Sequence, residues 1–120
     1  MKDFTDLRIW QQAHKLMLEI YKLGAKLPRE EKFNLIDQLK RASLSVPTNI
    51  AEAFGRFHFT DSNHFLLNAR GSAYEVRSLL MAVRDIQGKN IINFDSLDHD
   101  YQELIKGINA LIKSRKGSNG

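Results

Sequence analysis

Apolar residues recur at alternating steps of four and three along this sequence, and that spacing restricts the fold more than any other feature. On a helix with 3.6 residues per turn, such positions form a single stripe. In the first stretch, from about residue 6 to residue 25, the stripe consists of Ile9, Ala13, Leu16, Ile20 and Leu23. Leu27 continues the same spacing just beyond its end. A second row, Leu7, Trp10, Met17 and Tyr21, widens the apolar arc to nearly half of the helix. This width is typical of a deeply buried bundle helix, and it also fits a helix that serves both the core and an oligomer interface.

Three further stretches show the same helical spacing. Pro28, followed by Glu30 and Glu31, predicts the start of a second helix, because proline suits the first turn and acids face the positive end of the helix dipole. The apolar row of this helix is Leu35, Leu39, Ala42, Val46, Ala53 and Phe57. The third helix is predicted to begin near Thr60 as N-cap and to bury Phe65, Ala69, Val76, Leu79, Leu80, Val83 and Ile86. The fourth is predicted to open near Asp95 and to bury Leu97, Tyr101, Leu104, Ile108 and Leu111.

Four amphipathic helices with short connections predict an all-α fold, an antiparallel up-and-down four-helix bundle. We expect it to occupy residues 1–113 as one domain, with a disordered basic tail at residues 114–120. The sequence has no cysteine, which fits a reducing compartment. Its N-terminus carries acids where a signal peptide is apolar, and its apolar runs are too short to span a bilayer. These features predict a cytoplasmic protein without a membrane partner.

Pro47 lies in the middle of the second predicted helix. It has no N–H to donate to the carbonyl of Ser43, and its ring crowds that turn. The apolar spacing nevertheless continues in phase through Val46, Ile50 and Ala53. We therefore predict one continuous helix with a kink at Pro47 rather than two separate helices. Short polar side chains, namely Ser43, Ser45, Thr48 and Asn49, are available to bond the backbone groups that a kink frees.

The run LIDQLKRASLSVPTNIAEAFGR, with LRIWQQAHKL before it and FLLNARGSAYEV after it, resembles a known family. This is the four-helix-bundle family first met as open reading frames in intervening sequences of 23S ribosomal RNA genes. The resemblance covers Phe4 to about Leu80. Its signature positions here are Trp10, Gln38, Arg41, Ala42, Ser45, Asn49, Glu52, Arg56, Gly71, Ser72 and Glu75. The resemblance implies a homopentamer without established catalytic activity, related in shape to the RNA-binding accessory proteins of diversity-generating reverse transcriptases.

The signature has one departure and one unusual group of polar residues. Ala53 stands where the family usually has glycine, which puts tight helix packing at that point in doubt.

Asp37 with Arg41, and Glu52 with Arg56, have the i,i+4 spacing of helix ion pairs. Solvated surface pairs explain this spacing equally well. Asn49, however, falls in apolar phase, which favours a buried or interfacial hydrogen-bond network that fixes register or oligomer state.

Residues with the chemistry of an active site or a metal site are present but not suitably spaced. His58 and His64 flank Asp61 without the His-x-x-x-His spacing of a helical metal pair, and no cysteine completes a site. Gly71 and Ser72 lie inside a helix and do not form a phosphate-binding loop. We expect no catalytic residues, no metal, no cofactor and no enzymatic activity.

Basic residues recur every seven positions on three of the predicted helices. The three rows are Arg8, Lys15 and Lys22; Arg70, Arg77 and Arg84; and Lys106 and Lys113. Two further basic residues, Arg115 and Lys116, follow the third row. In a left-handed bundle this spacing keeps side chains along one line of each helix, which predicts cationic ridges. Solvated helix faces produce similar patterns, although the three rows themselves contain no acid.

The charge of the chain leaves two functions open. The net charge is +4, so a pentamer would carry five times that charge, or +20, and would attract a phosphate backbone. This favours a protein that binds structured nucleic acid, with RNA preferred, through the basic rows. The alternative is a protein-interaction scaffold or accessory subunit with no nucleic-acid role, whose positive surface serves solubility or an acidic partner.

Overall fold

Four α-helices make up most of the computed structural model, which describes residues 2–56, 58–88, 90 and 92–116. They are α1 (Arg8–Lys26), α2 (Asp37–Gly55), α3 (Phe59–Gln87) and α4 (Phe94–Lys116). A short 3₁₀ turn, Phe4–Asp6, precedes α1, and a 3₁₀ turn at Arg29–Glu31 followed by a π-helical turn at Lys32–Ile36 leads into α2. The described residues contain no strand, and the prediction of an all-α bundle is confirmed.

The helices pack in chain order around one core. Each of the pairs α1–α2, α2–α3 and α3–α4 is in contact, and α1 also touches α4. Ser72 of α3 bonds Ser45 of α2, while Ser62 bonds Ala53, so positions rise along α3 as they fall along α2. That order of contacts is the one expected of antiparallel neighbours. Fully buried apolar side chains come from all four helices: Ala13, Ile20, Leu39, Val46, Ile50, Leu66, Ala69, Ala73, Val76, Leu80, Val83, Tyr101, Leu104 and Ile108.

Helix α2 runs without interruption through Pro47, as the unbroken apolar spacing predicts. Short side chains around the proline bond nearby carbonyls: Thr48 Oγ1 donates to the carbonyl of Leu44 at 2.8 Å, and Asn49 Nδ2 donates to that of Ser45 at 2.9 Å. Ser43 Oγ donates to the carbonyl of Lys40 at 3.1 Å. These bonds tie down the turns beside the proline, and the kink itself stays a prediction.

Two predicted helix boundaries differ from the structure, and two further expectations fall on residues that the structure does not describe. Helix α3 begins at Phe59 with His58 as N-cap, so Thr60 lies within the first turn instead of capping it. Helix α4 continues to Lys116, so residues 114–116 extend the helix and do not belong to a tail; residues 117–120 lie outside the described residues. Phe57, expected in the core row of the second helix, also lies outside them.

The core row of α3 differs from the predicted one at its C-terminal end. Ile86 is 62% exposed, because six residues beyond the buried Leu80 turn it about 120° away from the core side. Phe65 and Leu79 are only partly buried, and Leu66 and Ala73 fill the core instead. On α4, Tyr101, Leu104 and Ile108 are buried as predicted, whereas Leu97 and Leu111 are partly buried.

Helices α1 and α4 meet closely at one end and less closely along the rest of their length. A Cβ atom added to Gly107 would lie 2.8 Å from Cγ2 of Ile9, so glycine is what lets the two helices approach there. Further along, a groove of about 540 Å³ separates them. This α1–α4 groove runs past Leu16 and Leu23 of α1 and past Ile92 and Leu97 near the start of α4.

Candidate nucleic-acid interface

The basic row of α1 lies on the exposed side that borders α4. Arg8, Lys15 and Lys22 are all exposed, and the ammonium group of Lys22 lies 3.4 Å from a carboxylate oxygen of Glu19. Lys15 and Lys22 line the α1–α4 groove together with Lys26. The α4 side of the groove carries Asp100 and Glu103, so the groove has both signs of charge.

The basic row of α3 is not the free outward ridge that its spacing predicts, because each of its arginines has a partner within the chain. Arg70 donates to the side-chain oxygen of Asn109 at 2.8 Å, and Arg77 makes two hydrogen bonds to Asp98, the shorter 2.8 Å. Arg84 donates two hydrogen bonds to the carboxylate of its neighbour Asp85, and the shorter of them is also 2.8 Å long. Spacing by seven aligns side chains on one helix, but it does not say whether the line faces solvent or the next helix.

The pair Arg77–Asp98 joins α3 to α4 and is shielded from water, with side-chain exposures of 23% and 10%. Burial pushes the pKa of Asp98 up, but hydrogen bonds from Arg77 and Gln102, together with the charge on Arg77, outweigh it and hold that pKa below its ordinary value. The hydrogen bond with Asp98 likewise raises the pKa of Arg77. This arginine is committed to holding two helices together.

The basic row of α4 is mixed in the same way. Lys106 lies 3.1 Å from Glu103, and Lys113 is exposed. Arg115 is partly buried, and Lys116 is the last residue of α4, its side chain lying outside the described residues. Of the ten predicted nucleic-acid contacts, Arg8, Lys15 and Lys113 are exposed and form no ion pair with any described residue.

The polar signature residues form a small network at the seam between α2 and α3. Ser72 Oγ donates to Ser45 Oγ at 2.9 Å, and Asn49 Nδ2 lies 2.9 Å from the same hydroxyl. These three side chains are partly buried, and the network that they form includes Asn49 but none of the charged residues that the sequence predicts in it. The remaining polar signature residues, Gln38, Arg41, Glu52, Arg56 and Glu75, are exposed.

The two predicted ion pairs of α2 have different outcomes. Glu52 and Arg56 pair at 3.2 Å, and the guanidinium of Arg56 also lies 4.7 Å from the ring centre of Phe65. Asp37 and Arg41, by contrast, form no ion pair among the described residues. The signature positions of α2 therefore include one surface pair and one exposed arginine.

Trp10 marks an apolar groove between α1 and α2. Its indole stacks on His14, with ring centres 4.8 Å apart, and meets Phe4 edge to face at 5.2 Å. The groove measures about 610 Å³. Its lining, which defines what we call the α1–α2 groove, is Phe4, Trp10, His14, Met17, Leu44, Pro47, Thr48, Ala51, Glu52, Gly55 and Arg56.

A second apolar surface lies on α3. Leu67 is 42% exposed and Tyr74 is 50% exposed, and the exposed Gly71 lies between them on the same face. A Cβ atom added to Gly71 would meet no atom of the described residues within 4 Å, so this glycine does not serve close packing among them. We call Leu67, Gly71 and Tyr74 the α3 stripe. The sequence signal for this stripe is a pair of large apolar residues that stand seven positions apart and outside the core row of α3.

The described residues offer little for metal chemistry or membrane insertion. No three His, Asp or Glu side chains among them come together in a way that would hold a metal ion. Within the same part of the chain, no helix combines the length and the apolar character needed to cross a bilayer.

Tyr101 is fully buried, which raises the pKa of its phenol and keeps it neutral.

Comparisons with known proteins agree with this architecture. A crystal structure of a protein of unknown function from the S23 ribosomal protein family of Bacteroides thetaiotaomicron matches the chain with a TM-score of 0.77 and 24% sequence identity. The match covers 88% of this chain and 98% of that one, and at this identity it shows the fold. The comparison with curated proteins gives no match.

A family model gives the more specific result. The model of the 23S rRNA-intervening sequence protein matches residues 5–110, which include all four helices except the end of α4. The matched region contains the signature positions from Trp10 to Glu75 on which the resemblance in the sequence rests. The chain therefore belongs to the family of 23S rRNA-intervening sequence proteins.

Proposed function

We propose that this protein is a non-enzymatic homopentamer that binds structured RNA through exposed cations of α1 and α4. The observation that carries the RNA part is that Arg8, Lys15 and Lys113 are exposed and unpaired among the described residues of a chain whose net charge is +4. Arginines committed to protein acceptors, such as Arg77, are poor phosphate ligands because binding would first have to break their existing hydrogen bonds.

The physical basis of such binding is the release of counterions from the nucleic acid. Each phosphate neutralised by a lysine or arginine releases condensed cations, so affinity falls steeply as salt rises. Contacts of this kind go to the backbone and carry little sequence information. The ligand class is therefore set by the shape and charge density of the RNA rather than by its sequence.

Self-assembly is the second part of the proposal. The α1–α2 groove leaves apolar surface of Trp10 and Leu44 uncovered, the latter 46% exposed, and Leu18 elsewhere on α1 is 48% exposed. A contiguous apolar groove left open to solvent is one mark of a protein-interaction site. The number five comes from the family resemblance, and it would place five copies of each exposed cation on one particle.

The assembly is tested by light scattering coupled to size exclusion at micromolar concentration. A pentamer has a mass of five times 13.8 kDa, about 69 kDa. A mass near 13.8 kDa would contradict self-assembly, and a stable mass near another multiple would contradict the number five.

RNA binding is tested with two variants that change the net charge equally. The double substitution Lys15→Glu and Lys113→Glu is expected to weaken binding to a structured RNA at least about tenfold at physiological salt. The control, Lys2→Glu with Arg29→Glu, alters exposed cations that are outside the proposed RNA contacts, and it should weaken binding about threefold or less.

Equal weakening by the two variants would show that only the overall charge matters and would contradict the assignment of the site. Absence of binding by the wild-type protein at physiological salt would contradict the RNA function itself. Helicity, followed by circular dichroism, should be unchanged in both variants because all four side chains are exposed.

A protein-interaction scaffold is the second candidate function, and the α1–α4 groove favours it. This groove carries Lys15 and Lys22 on one helix and Asp100 and Glu103 on the other, a pattern that suits a polypeptide with both charges better than a polyanion. A defined protein that stays bound after nuclease treatment, and is lost on Asp100→Lys, would support this function. Recovery of RNA alone would count against it.

A further inference from the structure

We propose that the α3 stripe of one copy packs into the α1–α2 groove of the next copy, so that the copies join head to tail in a closed ring. This inference rests on the self-assembly proposed above and names the two surfaces that carry it. The same chain offers a concave apolar surface on one helix pair and a convex apolar surface on another helix. Such an interface is heterologous, because the two partners use different faces.

The two surfaces complement each other in shape and chemistry. The groove is lined largely by apolar groups, among them Trp10, Met17 and Leu44. The stripe presents Leu67 and Tyr74 as side chains that can fill it, with Gly71 between them. A glycine inside a helix lowers stability by about 1 kcal/mol relative to alanine. Since no atom of the described residues lies within 4 Å of a Cβ added at Gly71, the approach of another backbone gives a reason for the glycine.

The heights of the two surfaces along the bundle decide between a ring and a filament. Ser72 of α3 lies opposite Ser45 of α2, and one residue of helix advances about 1.5 Å along the axis. Counting from this contact in opposite directions, Leu67 lies level with Ile50. In the same way, Tyr74 lies level with Ser43.

The α2 wall of the groove runs from Leu44 to Gly55, and the heights of the stripe coincide, to within about one residue or 1.5 Å, with its Leu44–Ala51 part. A rotation about an axis parallel to the bundle leaves heights unchanged. About such an axis, the stripe of one copy meets the groove of the next without a shift along the axis. A contact without a shift closes into a ring when its rotation divides a full turn into equal steps, whereas a contact with a shift produces a filament.

Charges at the edge of the contact support the same pairing. Glu75, exposed beside the stripe, lies level with Ala42 by the same count, two residues from Lys40. The ammonium group of Lys40 lies 5.1 Å from the ring centre of Tyr21, on the side of α2 that faces α1. A neighbouring Glu75 would bring a carboxylate to this lysine.

The experiment uses the absence of cysteine from the sequence, so that introduced thiols are the only ones. The variants Ala51→Cys and Leu67→Cys place one thiol in the groove and one in the stripe. When each single variant is treated alone with a short bismaleimide, we expect no covalent dimer. When the two variants are mixed, reassembled and then treated, we expect a covalent heterodimer. The double variant should give a ladder of covalent oligomers that ends at the size of the assembly.

The matched control is Ala51→Cys with Ala110→Cys, which moves the second thiol to an exposed position on α4 and should give no ladder. A covalent dimer from either single variant would indicate a two-fold interface and would overturn the proposal. So would an assembly of the double variant that forms normally but does not crosslink, and in that case self-assembly would still stand.

A second variant tests the glycine. Gly71→Gln has room within the chain, so the protomer should keep its helicity while the assembly dissociates at least about tenfold more readily. Ala110→Gln makes a comparable enlargement on the exposed face of α4 and should leave assembly unchanged. Equal behaviour of the two variants would overturn the proposal. A wild-type protein that is a monomer would instead overturn the self-assembly on which the proposal rests.

Discussion

Replacing Asp98 by alanine is expected to lower the free energy of unfolding by about 2–3 kcal/mol. The carboxylate accepts two hydrogen bonds from Arg77 and one from Gln102 at 2.7 Å. Removing one partner of a shielded ion pair leaves the other charge without compensation, and a fully buried pair loses about 3–5 kcal/mol. The value expected here is smaller because 23% of the Arg77 side chain remains exposed to water. Chemical denaturation of the two proteins measures the difference.

The control for this prediction is Asp85→Ala. Asp85 pairs with Arg84 at the same 2.8 Å, but the side chain of Asp85 is 67% exposed. Water therefore screens this ion pair, and water can solvate Arg84 when the carboxylate is removed. Asp85→Ala should therefore destabilise the protein much less than Asp98→Ala. If the two variants were equally stable, the Arg77–Asp98 pair would not hold α3 and α4 together.

The same ion pair predicts a loss of stability in acid. Because the pKa of Asp98 is lower in the folded protein than in the unfolded chain, the unfolded chain binds a proton more readily. The stabilising contribution is complete above the ordinary pKa of aspartate, about 3.9, and is lost as pH falls through the lower pKa of the folded state. The difference in stability between wild type and Asp98→Asn should accordingly shrink below about pH 4.

Gly107→Val is expected to lower the free energy of unfolding by about 2–3 kcal/mol. A Cβ atom at this position would lie 2.8 Å from Cγ2 of Ile9, closer than two carbon atoms can pack. The β-branched methyl of Ile9 is fixed close to the backbone and has little freedom to move aside. Valine would gain some helix propensity over glycine, but the forced separation of α1 and α4 outweighs that gain.

A second substitution shows whether the clash is the cause. Ile9→Leu keeps the side-chain volume but removes the methyl on Cβ, so Gly107→Val should be less destabilising in an Ile9→Leu background. The double-mutant cycle, measured by urea unfolding, gives this coupling directly. Additive effects of the two substitutions would contradict the assigned contact.

The helices and most of the core could be predicted from the sequence because the apolar spacing is strong and nearly continuous. The phase carried through Pro47 correctly predicted an unbroken α2, since a proline removes one hydrogen bond but does not change which side chains face the core. The same spacing misplaced Ile86, because six residues beyond the buried Leu80 turn its side chain about 120° away from the core side of the helix.

The candidate site was less predictable, since partners on another helix are not visible in the spacing of one. The spacing predicts that Arg77 belongs to a cationic ridge, whereas in the structure it pairs with Asp98 of α4. The missed signal was in α4 itself: Asp98 stands in the same row as the buried Tyr101 and Ile105, where an isolated carboxylate would be unstable. An acid in an apolar row predicts a cation on a neighbouring helix.

The corner between α2 and α3 has a consequence for the order of folding. The buried hydroxyl of Ser62 donates to the carbonyl of Ala53 at 2.9 Å, and the two residues are nine positions apart. The contact of Ile9 with Gly107 joins residues 98 positions apart. Because the entropy lost in closing a loop grows with its length, we expect the α2–α3 hairpin to form first and the seam between the terminal helices last.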